Sequence, residues 1–200
     1  MNFISRVISK VVSKLLYRLK IKGFDQIPTT GGAVLAPNHV SYMDALILLS
    51  VCKRPVKFVM WYKIYDKPLL KWFFKRVGVI PIASPKENMK VFRRSFELIK
   101  EALDGGELVV FFPEGAITRD GNLQEVKGGI EYVINGSPVP VVPVGIRGLY
   151  GSYFSRSNNK PFFGKLFSQI SIEFGSPILP KQLNRQSVHY ALRQLTHNHT

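Results

Sequence analysis

Apolar residues recur at helical spacing from the start of the chain. Phe3, Ile4, Val7, Ile8, Val11, Val12, Leu15, Leu16 and Leu19 fall on one half of a helical wheel, which predicts an amphipathic helix over residues 3–19. Arg6, Lys10, Lys14 and Arg18 follow one another four apart along one flank. Like charges at that spacing destabilise an isolated helix by about 0.2–0.5 kcal/mol per pair. The row therefore suits a helix lying on anionic lipid headgroups, with its apolar half in the acyl boundary. Packing of that face on the domain is the alternative.

Past Gly23 the pattern changes. A loop with Pro28 and Gly31-Gly32 leads into an apolar run at 33–36 that stops at Pro37, a strand pattern. Ser41 followed by Asp44 has capping-box spacing and predicts a helix over 42–51. Runs at 57–61 and 79–82 predict two strands, with a short aromatic and basic helix over 68–77 between them. Ser84-Pro85-Lys86-Glu87 combines an N-cap, a proline at N1 and a glutamate at N3, so a helix is predicted to open there. Met89, Phe92, Phe96, Ile99 and Leu103 supply its stripe, and Gly105-Gly106 its end. Residues 107–112 and 139–146 read as buried strands, 127–135 as a short helix, and 168–174 as a more exposed alternating strand. Strand and helix alternate, which predicts one α/β domain over 22–200. Its central sheet is mostly parallel and flanked by helices, with residues 1–21 as the amphipathic segment.

Two hundred residues are enough to bury a core without disulfides, and a single cysteine, Cys52, allows no intrachain bridge; that fits a reducing compartment. The net charge of +15 changes the picture most, because it calls for an anionic partner: a membrane surface, a phosphorylated substrate or a nucleic acid. No recognisable nucleic-acid motif is present and the basic residues are not gathered on one predicted helix, so the charge is read as serving lipid. Aromatics mix with Lys and Arg at 58–65, 72–76 (with Trp72) and 150–167, as in membrane-facing loops. No apolar run approaches the roughly 18–20 residues of a spanning helix. Arg6, Lys10, Lys14 and Arg18 interrupt the N-terminal apolar stretch, so it does not read as a signal peptide. The expected location is peripheral, on the cytoplasmic side of a membrane.

Candidate chemistry lies in two segments. Asn38-His39-Val40-Ser41-Tyr42-Met43-Asp44 places a histidine and an aspartate across a predicted strand-to-helix turn. Neutral histidine is the usual general base near pH 7, and a carboxylate that fixes its tautomer improves it. Alone, the spacing reads rather as a loop histidine beside a helix-capping aspartate. Phe112-Pro113-Glu114-Gly115, followed by Thr118 and Arg119, comes after a predicted buried strand. There α/β proteins place ligands, and an arginine suits bidentate phosphate binding. Alone it is equally a turn with a surface ion pair. There is no Gly-x-Ser-x-Gly elbow, Walker loop, cysteine pair or HExxH.

Taken together the segments resemble the glycerolipid acyltransferase family, the lysophosphatidic acid acyltransferases and their relatives. Asn38-His39-x-Ser41-x-x-Asp44 is similar to its first block, Phe112-Pro113-Glu114-Gly115 to its third, and Val142-Pro143-Val144 to its fourth, over residues 22–177. The arginine common in the second block is missing after Gly78-Val79-Ile80-Pro81-Ile82, where Ala83-Ser84 follow, and Ala116-Ile117-Thr118 precede Arg119. The resemblance implies a glycerol-3-phosphate acyltransferase-like fold and transfer of an acyl group from acyl-CoA or acyl carrier protein to a lysophospholipid hydroxyl. The acceptor it implies is 1-acylglycerol-3-phosphate or, in the reacylating branch, a lysolipid with another head group. It implies His39 as base and Asp44 as its orienting partner. Asn38, Ser41, Glu114, Gly115, Thr118 and Arg119 are implied at the substrates. Neither metal nor further cofactor is implied. A catalytically idle, lipid-binding adaptor of the same fold is the competing expectation.

Overall fold

Ala33–Pro37 is apolar at every position and buried on both faces, the signature of an inner parallel strand. The computed structural model describes residues 9, 11, 13, 15–157 and 167–197. Among them seven strands form one sheet: β1 (Arg18–Lys22), β2 (Ala33–Pro37), β3 (Val56–Trp61), β4 (Ile80–Ile82), β5 (Leu108–Val110), β6 (Val141–Arg147) and β7 (Gln169–Phe174), in the order β1-β7-β6-β2-β5-β3-β4. β2 pairs in parallel with both β5 and β6, β3 with both β5 and β4, and β1 with β7; only β6 and β7 run antiparallel. The expected single α/β domain with a mostly parallel sheet is what the chain adopts.

Residues alternate between two cores. On one face Leu35, Phe58, Val110, Val144 and Ile172 pack with Ile47 and Leu48 of α1 (Met43–Val51), with Tyr17, and with Phe74 and Val77 of α3 (Pro68–Val77). α2 (Tyr62–Tyr65) is a single turn after β3. On the other face Val34, Ala36, Val109 and Val141 pack with Ile99 and Leu103 of α4 (Met89–Asp104), Ile130 and Val133 of α5 (Gly129–Gly136), and Val188 and Leu192 of α6 (Arg185–His197). Each fully buried Leu or Ile contributes roughly 1.5–3 kcal/mol relative to exposure, so this double core carries the fold.

Three local expectations are corrected. The N-terminal helix does not run to residue 19. Ser9, Val11, Ser13, Leu15 and Leu16 are helical, but Arg18–Lys22 is strand β1. There Leu19 and Ile21 alternate with Arg18, Lys20 and Lys22, and β7 offers an edge to pair with. The boundary drawn after residue 21 therefore falls inside the sheet. Phe3, Arg6, Lys10 and Lys14 lie outside the described residues. Second, Ser84–Glu87 closes a turn of its own: the Glu87 carboxylate accepts from the Ser84 amide and hydroxyl at 3.2 and 3.0 Å. Helix α4 opens only after Asn88, whose extended backbone breaks the run and whose side chain caps Val91 N–H at 3.1 Å. Third, β7 is more buried than its alternation suggested, with Ile170, Ile172 and Phe174 in the core. Helix α6 was not anticipated.

Candidate active site

His39 stands two residues past β2, at the carboxyl edge of the sheet, where the chain turns into α1. Its Nδ1 lies 2.8 Å from Asp44 Oδ2. The same oxygen accepts the amides of Val40 and Ser41 at 2.8 and 2.9 Å. An ionised carboxylate only accepts, so the geometry puts the proton on Nδ1 and leaves Nε2 bare, as a general base requires. Ser41 N–H donating to Asp44 is one half of the expected capping box. The Ser41 hydroxyl meanwhile accepts Met43 N–H at 3.2 Å, so the turn that forms the helix start also aims the histidine.

Asp44 is fully buried, and burial pushes its carboxyl up, opposed by the His39 ring and the two amides. The imidazole stacks on Phe112 at 3.9 Å between ring centroids. An imidazolium formed during proton transfer would therefore sit between a carboxylate and an aromatic face, and both favour the cation.

Glu114 follows β5 at the same edge and is 2% exposed. Its Oε1 accepts the His39 amide and its Oε2 the Gln124 amide, both at 2.6 Å. Thr118 N–H in turn donates to His39 O at 2.8 Å. The carboxylate thus ties the histidine loop to the loop that carries Arg119. Burial raises Glu114 to about 7, against the two amides that favour its charge. Between its ordinary 4.5 and about 7 the folded protein holds a proton that the unfolded chain has released, so this group makes stability fall as pH rises through that window. Glu114→Gln removes the titration. The melting temperature of the parent minus that of the variant is expected to fall from about pH 5 to about pH 7.5 and to level off above. A difference independent of pH would show that Glu114 titrates at its ordinary value.

Of the six residues expected at the substrates, four turn inward. Asn38 brackets Ile146 with both side-chain atoms, at 3.0 and 2.7 Å, and continues the β2–β6 pairing past the strand end. Ser41 and Thr118 are buried and hold backbone amides, Thr118 Oγ1 accepting Gly121 N–H at 3.1 Å. With Glu114 they build the loops rather than face solvent. Gly115, with φ of 72°, and Arg119 are exposed. Among the described residues Arg119 makes no ion pair. Trp72 on α3 is 71% exposed and Arg18 on β1 is exposed. The stretch after β6, read from the sequence as a membrane-facing loop, also fastens the site: Tyr150 OH donates to Arg119 O at 3.0 Å and Tyr42 N–H donates to Phe154 O at 3.1 Å. A cavity of about 250 Å³ lined by Asn38, Asn122, Arg147 and His197 opens beside these loops without including His39.

The family model described as Acyltransferase matches residues 18–147. The chain is 31% identical over 150 residues to the chloroplastic 1-acyl-sn-glycerol-3-phosphate acyltransferase LPAT1 of Arabidopsis thaliana, covering 74% of this chain and 41% of that protein. It is 29% identical over 136 residues to the lyso-ornithine lipid O-acyltransferase of Rhizobium meliloti, covering 68% of this chain and 44% of that one. The chain thus spans less than half the length of these relatives. Among solved structures, the 1-acyl-sn-glycerophosphate acyltransferase PlsC from Thermotoga maritima superposes with a TM-score of 0.73 over 96% of this chain and 76% of that chain, at 21% identity, a likeness of fold.

Proposed function

The chain belongs to the acyltransferase family, and from that membership we propose that it moves a fatty acyl group from an acyl thioester to the free hydroxyl of a lysophospholipid, 1-acylglycerol-3-phosphate first among them. The observation that carries the reading is the His39–Asp44 pair, joined at 2.8 Å at the carboxyl edge of the sheet, with Nε2 unengaged among the described residues. Nε2 takes the proton of the acceptor hydroxyl, whose oxygen attacks the thioester carbonyl carbon. The C–S bond breaks, and the thiolate leaves with the proton returned by the imidazolium. One ester and one free thiol result, with no acyl-enzyme. A thioester is already activated, so positioning and one base suffice. Coenzyme A and acyl carrier protein both meet this chemistry, and neither is singled out. Thiol release is the direct test: free thiol appears only when lysolipid is present, whereas release without acceptor would point to an acyl-enzyme or a hydrolase.

Arg119 is the acceptor-phosphate ligand in this reading, supported by its exposure and its lack of a carboxylate partner among the described residues. Arg119→Lys replaces a fork by a point charge. It is expected to raise the acceptor KM about tenfold with little change in donor KM. Movement of the donor KM alone would reverse the two substrate assignments. The head group has a second reading, because the similar Rhizobium meliloti protein is named for a lyso-ornithine lipid, which makes an acceptor other than lysophosphatidate the alternative. The idle-adaptor reading has no observation in its favour, since the base and its orienting carboxylate are assembled.

The enzyme is proposed to work from a membrane surface. Support comes from the inverted exposure of the N-terminal helical residues: Ser9 and Ser13 are buried while Val11 and Leu15 are 51% and 63% exposed. Small polar groups face the protein and aliphatic ones face outward, as on a lipid-facing helix. Trp72 and Phe73 add exposed aromatics on α3. No helix of the described residues is long and apolar enough to cross a membrane. Removing residues 1–16 is expected to lower sedimentation with anionic vesicles more than with neutral ones. Each basic residue near such a surface is worth roughly 1 kcal/mol at moderate salt. Equal sedimentation of both forms would move the anchor to α3.

A further inference from the structure

Arg156 follows β6 on a stretch that joins both halves of the site. Ser152 and Ser155 are buried, and Ser155 donates its amide and hydroxyl to Ser152 O at 3.0 and 2.8 Å, which fixes the turn. Ser155 pairs with Ser41 as a β-bridge, and Tyr42 N–H donates to Phe154 O, so the turn is fastened to the histidine loop. At its other end Tyr150 OH donates to Arg119 O. A side chain at Gly121 would meet the Tyr150 ring at 2.8 Å, so this contact is close. The stretch that carries Arg156 therefore holds the loops of His39 and Arg119 together.

The guanidinium itself is exposed and rests on Tyr42. Its centre is 5.9 Å from the ring centroid, and Nε and Nη2 donate to the Tyr42 hydroxyl at 3.4 and 3.3 Å. Arg147 is neutralised by Glu173, Arg94 by Glu97 and Glu101, and Arg185 by Glu131, while Arg54 is spent on the carbonyls of Pro28, Gly31 and Gly106. Among the described residues no carboxylate pairs with Arg156. With its Nε–Nη2 edge held by the Tyr42 hydroxyl on the histidine loop and no carboxylate partner among the described residues, the guanidinium keeps its Nη1–Nη2 edge to receive an oxyanion.

We propose that Arg156, seated on Tyr42, is a second phosphate-recognising group of the site, acting with Arg119. The proposal rests on the acyltransferase reading. Both substrates of that reading carry the required chemistry: the phosphomonoester of the acceptor and the phosphates of the thiol carrier.

Steady-state kinetics with acyl-CoA and a short-chain, monomeric lysophosphatidate separate the sources and keep membrane binding out of the measurement. Arg156→Ala is expected to raise one KM about tenfold, with Arg156→Lys in between and Tyr42→Phe raising the same KM less. A rise in acceptor KM assigns Arg156 to the acceptor phosphate, and a rise in donor KM to the carrier. If the parent transfers acyl groups and both KM values stay within about twofold in Arg156→Ala, the proposal is overturned. It is likewise overturned if only sedimentation with anionic vesicles falls, because Arg156 is then a contact for bulk headgroups. A parent that transfers nothing contradicts the acyltransferase reading itself, which is a different result.

Discussion

His39→Ala is expected to lower acyl transfer at least about a thousandfold, within the range that a positioned general base contributes. Nothing else among the described residues near the carboxyl edge offers a bare nitrogen poised on a carboxylate. Stability should survive. The ring is partly exposed, and Asp44 Oδ2 keeps the amides of Val40 and Ser41 when the imidazole is gone. Melting within about 4 °C of the parent is expected, roughly the shift that 1 kcal/mol produces in a chain of this size. The histidine amide stays on Glu114 whatever the side chain, so the loop keeps its path. Initial rates and a thermal melt on the same preparation check both halves, and activity within about tenfold of the parent would remove His39 from the role of base.

Asp44→Asn is expected to cost about 100- to 10,000-fold in kcat for a reason that can be stated atom by atom. Oδ2 receives three donors: His39 Nδ1–H and two backbone amides. If the amide oxygen takes that place, the three bonds persist but the charge that stabilises the imidazolium is lost. If the amide nitrogen takes it, donors face donors, the imidazole turns to its other tautomer and Nε2 is no longer a base. Stability again separates from activity. Burial raises the carboxyl of Asp44, so its ionised form weakens the fold as pH rises, and removing the charge relieves that cost. A variant that retains parental kcat would show that the pair only closes a helix. A variant that is inactive because it has melted would leave far-ultraviolet circular dichroism without its helical signal.

Much of the architecture was legible because strand and helix here obey local rules. β2 and β6 are continuous apolar runs, and α3 was placed at its full extent, Pro68–Val77, by its aromatic and basic pattern. The misreadings have local causes. At 18–22 a charged strand continued the helical period of the residues before it, and only pairing with β7 decides between the two. At 84–88 two capping signals stand in tandem, and the first closes a turn rather than a helix. Helix α6 did leave a signal: Asn184 and Ser187 exchange caps, and Val188 and Leu192 repeat four apart.

In the site, the pairing of His39 with Asp44 was readable because both lie within one turn. The direction in which a side chain points was not. Asn38, Ser41, Glu114 and Thr118 have the chemistry of ligands, and their burial follows from contacts with segments far along the chain, as in Asn38 with Ile146. Arg156 carried no motif at all, and its place beside Tyr42 depends on a turn more than a hundred residues after the histidine.

The claim that this chain is a lysolipid O-acyltransferase with His39 as its base is tested most directly by lipid mass spectrometry. The protein is incubated with mixed lysolipids and either acyl-CoA or acyl carrier protein charged with the same chain. The account predicts a diacyl product heavier than one lysolipid by one acyl group, formed with at least one donor and missing with His39→Ala. Lysolipids left unchanged with both donors, or equal product from His39→Ala and the parent, would contradict it.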